Sequence, residues 1–156
     1  MTEILFVCHG NICRSPMAEY VLRDLADRAG LAAQVRVASA ATSREEIGNP
    51  VYPPVRRLLA RHGIQAGGHA ARQLTRADYD AYDLLIGMDA ANLANMRRLF
   101  GRDEKLSLLM DYTPTPRDVA DPWYTGDFDA TWCDVTTACR DLLRSLFPET
   151  EIPRIP

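Results

Sequence analysis

The chain alternates between two hydrophobic rhythms. Ile4, Leu5, Phe6 and Val7 form a continuous apolar run, the pattern of a strand buried on both faces. From Pro16 onward, Met17, Val21, Leu22 and Leu25 recur at helical steps until Gly30 stops them. Short apolar runs at 35–38, 84–88 and 105–110 repeat the strand signal. Between them, Val55, Leu58 and Leu59 share one face of a helix over 53–62, which opens on a proline pair and closes at Gly63. Leu93, Met96 and Phe100 share one face of another, which Asp89 can cap. The last helix presents Phe128, Trp132, Val135, Cys139, Leu142 and Leu146 at steps of three and four, so Trp132 reads as core rather than binding surface. This alternation predicts an α/β fold: a single domain over 1–156 with a four-stranded parallel sheet and helices on both faces. Residues 111–127, rich in proline and aspartate, are long enough to be a functional flap. Residues 149–156 read as a frayed, flexible tail.

Composition narrows the function classes. A chain of 156 residues buries about 70% of its unfolded surface in one domain. Hydrophobic residues at 47% and charged residues at 25% are globular values. A net charge of −3 argues against nucleic acid as the main partner. No apolar run approaches the roughly 18 residues of a membrane span, and the N-terminus lacks a leader pattern. The expectation is therefore a protein of the cytoplasm with no membrane partner. There the four cysteines read as thiols rather than disulfides. Cys133 and Cys139 lack C-x2-C spacing and there are only three histidines, so no metal site is expected. Cys139 falls on the apolar stripe of its helix, as core packing.

Candidate chemistry sits directly after the first strand, in Cys8-His9-Gly10-Asn11-Ile12-Cys13-Arg14-Ser15-Pro16. A loop between strand and helix aims its backbone N–H groups and the helix dipole at one point, which makes an anion site. Ser15 suits an N-cap and Pro16 a first helical position. A helix N-terminus and a neighbouring cation both favour a thiolate at Cys8, and the Ser15 hydroxyl can donate to that sulfur. Arg14 supplies paired planar donors for two phosphoryl oxygens. Gly10 permits close approach or a positive φ, and Asn11 tolerates the left-handed region. A nucleophile held under a tetrahedral dianion is a phosphoryl-transfer site that calls for no metal or other cofactor. The loop has neither the G-x-x-x-x-G-K-[ST] nor the G-x-G-x-x-G pattern of nucleotide sites.

The departing alcohol or phenol needs a proton donor. Asp121, in Val119-Ala120-Asp121-Pro122-Trp123-Tyr124, is the candidate. Pro122 stiffens the segment, while Trp123 and Tyr124 offer flat surfaces for an aromatic leaving group. A carboxyl beside such rings and facing a bound phosphate is expected to stay partly protonated near neutrality.

These residues resemble the low-molecular-weight protein tyrosine phosphatase family. The likeness rests on V-C-x-G-N-I-C-R-S-P, here Val7 through Pro16, and D-P-[YW]-Y, here Asp121 through Tyr124. It continues through Ser39-Ala40-Ala41-Thr42-Ser43, Gly48-Asn49-Pro50, His62-Gly63-Ile64, Ala71-Arg72-Gln73-Leu74 and Met88-Asp89, nearly the whole chain. The resemblance implies Cys8 as nucleophile, forming a phosphocysteine, with Arg14 binding phosphate and stabilising the transition state. Asp121 would protonate the leaving oxygen and then activate water. His9, Gly10, Asn11, Ile12, Cys13 and Ser15 would surround the phosphate, with Trp123 and Tyr124 beside the ring. Asn11, Ser15, Ser39 and His69 would form a polar network that holds the loop. Cys13 would match a cysteine able to form a reversible disulfide with Cys8. Phosphotyrosine-containing proteins are the implied partners.

Where many members carry an aromatic residue three positions before Gly48, this chain has Glu45, which removes a wall and adds charge at the mouth. Tyr52 is a possible substitute ring. Related bacterial enzymes that hydrolyse phosphoarginine carry Thr at the position of Ile12, whose apolar bulk favours phosphotyrosine or an aryl phosphate. Two other readings stay open. A thiol-dependent arsenate reductase shares the loop but needs relay cysteines after the third strand, where none stands between Met88 and Phe100. A phosphate sensor without turnover would need neither thiolate nor acid.

Overall fold

In the computed structural model, which describes residues 1–156, the sheet is built around β1 (Thr2–Cys8). Its partners are β2 (Val35–Ala41) on one side and β3 (Leu84–Gly87) on the other, with β4 (Leu106–Leu108) at the far edge. All pairs are parallel, in the order β2-β1-β3-β4. Residues 4–7 are wholly buried because β1 is central and covered on both faces. Ile4 and Phe6 enter the larger core, under α1 (Arg14–Arg28) and α6 (Phe128–Leu146). Leu5 and Val7 face the other way, into a smaller cluster with Met96 of α4 (Ala90–Phe100). Helices on both faces of a four-stranded parallel sheet are thus observed as expected.

α2 (Pro53–Arg61) packs Val55, Leu58 and Leu59 inward. Two single-turn helices, α3 (Asp78–Ala81) and α5 (Pro122–Thr125), have no counterpart in the hydrophobic pattern, being too short to show a period. The fourth strand is shorter than expected: the chain turns into a 3₁₀ segment at Leu109–Tyr112. Gly87 permits the close approach of α4, since a methyl group there would meet Asn92 Cβ and Met96 Cε at 3.1 Å. No helix is long and apolar enough to cross a membrane.

The C-terminal residues depart from the expected frayed tail. Ile152 is only 2% exposed, and its carbonyl accepts from Arg140 Nε at 2.9 Å. The Pro156 carbonyl lies 2.9 Å from His62 Nδ1. The prolines suggested looseness, but the apolar side chain between them finds a socket in the core cluster. Ile152→Ala should lower unfolding free energy by about 2 kcal/mol, measured by urea denaturation. A change below a few tenths would mean the segment is only laid on the surface.

Candidate active site

β1 ends at Cys8, where the chain leaves toward β2 on one side while β3 flanks it on the other. This is the switch point at which parallel sheets form ligand clefts. Helix α1 begins at Arg14, two residues earlier than a Ser15 cap would have it, with Cys13 at the N-cap position and no side-chain cap. Ser15 is engaged elsewhere. Its Oγ lies 2.9 Å from Cys8 Sγ and accepts from Asn11 Nδ2 at 2.9 Å.

Asn11 organises the loop. It carries the only non-glycine positive φ in the chain, 60°, and is wholly buried. Its Nδ2 donates to both Ser15 Oγ and Ser39 Oγ, and its Oδ1 accepts from the Arg72 backbone N–H at 3.1 Å. His69 Nε2 lies 2.8 Å from its carbonyl oxygen. The Asn11 N–H points back at Cys8 Sγ, 3.3 Å away. Gly10 does not adopt a positive φ. Its role is spatial: a Cβ there would sit 3.4 Å from Glu46 Cγ. Ser39 donates onward to Glu19 Oε1, and Arg23 donates to Glu19 Oε2 at 2.7 Å. Glu19, a buried carboxylate satisfied on both oxygens, was not singled out from sequence. Its only signal there is a charge on the inward side of an amphipathic helix.

Arg14 is 2% exposed, and both of its Nη atoms are engaged. Its Nη1 donates to Asp89 Oδ2 and to the Val119 carbonyl, both at 2.8 Å, and its Nη2 donates to Asp121 Oδ2 at 3.3 Å. Burial works against its charge, but Cys8, Asp89 and Asp121 outweigh that and hold the guanidinium above its ordinary pKa. Asp89 serves two ends. Its Oδ1 caps α4 by accepting from Asn92 N–H at 2.8 Å, as the pattern predicted. Its other oxygen aims Arg14, a role the pattern did not reveal.

Asp121 arrives from the far loop, which is tied down at both sides. Val119 N–H donates to the Met88 carbonyl just past β3, at 2.8 Å, and Thr131 Oγ1 donates to the Ala120 carbonyl. Asp121 caps α5 through Trp123 N–H at 3.1 Å.

These groups surround a cavity of about 100 Å³. Cys8, Gly10, Ile12, Cys13 and Arg14 of the loop line it, together with Asp121, Trp123 and Tyr124 of the distant segment. His9, Glu45 and Glu46 complete the rim. Of the residues expected around the phosphate, Asn11 and Ser15 do not line the cavity. Their side chains are consumed by the network behind the loop, as are Ser39 and His69. Tyr52 is not a lining ring either. It packs 4.9 Å from Trp123 and stacks on Phe128, backing the aromatic wall. Trp132 stacks on His62 at 4.3 Å against the core, away from the cavity lining. Cys13 is buried, and desolvation, reinforced by Cys8, pushes its thiol up to about 12. Cys139 is wholly buried in the core, as expected.

Comparison with known proteins agrees with this architecture. Residues 3–151 match the family model described as low molecular weight phosphotyrosine protein phosphatase. The low molecular weight protein-tyrosine-phosphatase YfkJ of Bacillus subtilis is 40% identical over 97% of this chain and 100% of its own length. Its crystal structure superposes with a TM-score of 0.93, covering 97% of this chain and 98% of that one. The human low molecular weight phosphotyrosine protein phosphatase is 39% identical over 90% of this chain and 93% of its own. A Drosophila arginine phosphatase, DARP, is more distant: 27% identity, TM-score 0.85, covering 94% of this chain and 98% of that one. The chain belongs to the low molecular weight phosphotyrosine protein phosphatase family and is a protein-tyrosine-phosphatase of that class.

Proposed function

We propose that the protein hydrolyses phosphotyrosine in proteins, and simple aryl phosphates, by a cysteine-dependent route that needs no metal. What supports the reading is the meeting in one cavity of Cys8, Arg14 and Asp121, brought there from a strand end, a helix start and a distant loop.

The phosphoryl dianion takes over the Arg14 donors that now engage Asp121. Cys8 Sγ attacks phosphorus while the bond to the phenolic oxygen breaks, leaving a phosphocysteine. Arg14, the loop amides and the positive end of α1 carry the charge that spreads over the equatorial oxygens. Asp121 gives its proton to the departing oxygen. It then takes one from water, which attacks phosphorus, releases inorganic phosphate and restores the thiolate. Trp123 and Tyr124, 52% and 81% exposed, flank the substrate ring. Cys8 must stay a free thiol, which a reducing compartment such as the cytoplasm ensures.

Ile12, in the cavity lining, decides the leaving group. Isoleucine offers apolar bulk there and no hydroxyl to orient a guanidinium leaving group. Release of phosphate should therefore be measured from a phosphotyrosyl peptide and from phosphoarginine, both with excess chelator. The expected result is full phosphotyrosine turnover with chelator present and at least about tenfold lower kcat/KM on phosphoarginine. Faster phosphoarginine hydrolysis would reassign the substrate, and loss of activity with chelator would overturn the metal-free route.

A further inference from the structure

The cavity is zoned by charge. Its floor is cationic, with the Arg14 guanidinium and the start of α1, and suits a dianion. Its rim is not. Glu45 and Glu46, on the connection that follows β2, line the same cavity as the aromatic pair Trp123 and Tyr124. This side is tied to the catalytic loop by backbone bonds: Thr42 N–H donates to the Cys8 carbonyl at 2.9 Å and Ser43 N–H to the His9 carbonyl at 3.1 Å. His9 Nε2 then meets Glu45 Oε2 at 2.9 Å, and Glu46 Oε2 accepts from Asn49 Nδ2. The carboxylates therefore have fixed places rather than free reach. Glu45 remains largely in water, with its side chain 68% exposed, so it stays open to a second partner.

The nearby cations leave this rim negative. Arg14 is buried at the cavity floor, where it donates to Asp89, Val119 and Asp121. Arg44 is exposed but does not line the cavity. His9 offsets at most one of the two glutamates. A phosphotyrosine reaching the floor brings its neighbouring residues to this level, where a basic side chain is attracted and an acidic one repelled.

Resting on the reading given under Proposed function, we infer that Glu45 and Glu46, held against the catalytic loop, select phosphotyrosyl segments with a lysine or arginine beside the phosphotyrosine. The contribution is electrostatic and solvent-exposed, so it is modest and sensitive to salt.

Three peptides identical except for lysine, serine or glutamate on both sides of the phosphotyrosine form the test. At low ionic strength kcat/KM should fall in the order lysine, serine, glutamate, with roughly three- to tenfold between the extremes. The spread should shrink in about 0.5 M salt and in a Glu45→Gln/Glu46→Gln protein, and reversing both charges in Glu45→Lys/Glu46→Lys should invert the order. Thermal unfolding of each variant checks that the fold is retained. Equal rates on all three peptides, or a spread the variants leave unchanged, would overturn the selectivity. No phosphate release from any peptide would instead remove the phosphotyrosine reading on which it stands.

Discussion

Replacing Cys8 with serine should abolish turnover of aryl phosphates, lowering kcat by at least about 10⁴-fold. The substitution is close to isosteric, and Cys8 is 3% exposed in a site whose other members stay in place. A serine hydroxyl there can still pair with Ser15 Oγ and accept the Asn11 N–H. It lacks the ease with which a thiol loses its proton, and no general base lies within hydrogen-bond distance of Cys8 to compensate. Phosphate should still bind, because Arg14 and the α1 N-terminus are untouched. Steady-state kinetics and phosphate titration calorimetry together make the check. Near-normal hydrolysis by the variant would end the nucleophile assignment, and lost phosphate binding would show that the loop had collapsed.

Asp121→Asn should give a loss that depends on the leaving group. For a poorly departing phenol, kcat/KM should fall by about 10²–10⁴-fold, the usual worth of a positioned acid. For p-nitrophenol, which departs without help, the first step should be much less affected. Asparagine can still cap α5 by accepting from Trp123 N–H, so a structural explanation is disfavoured. Loss of the second role, activation of water, should make the phosphocysteine accumulate with the good leaving group, detectable by mass spectrometry after acid quench. A loss equal for all leaving groups, without accumulation, would assign Asp121 to positioning Arg14 instead.

The strands and long helices were legible because each buries a regular face, and periodicity reports burial. β1, α1, α2, α4 and α6 were all found from their apolar positions, with ends shifted by a few residues. The candidate loop was legible for a different reason: Cys8 and Arg14 stand between a strand signal and a Ser15-Pro16 helix start, with Gly10 inside. The hidden features all depend on partners remote in sequence. Asp89 looked like a cap and is one, yet its second oxygen holds Arg14 from across the sheet. Glu19 drew no reading from sequence, because its partners Ser39 and Arg23 meet it only in the fold. Ser15 had the right chemistry for a cap but gave its hydroxyl to Cys8 and Asn11. The docked C-terminus was missed because proline content spoke for looseness, while buried Ile152 and the contacts from Arg140 and His62 hold it.

The Val119 N–H bond to the Met88 carbonyl separates the spacing of the proposed nucleophile and acid from the length of the chain joining them. Cys8 closes β1 and Asp121 hangs from the end of β3, and the register pairing Val7 with Gly87 sets the gap between them. Extra residues inserted at the exposed prolines Pro114 and Pro116 would lengthen the excursion without dislodging the anchor that follows it. Evolution or a designer can therefore graft a recognition appendage there while the reacting atoms keep their alignment.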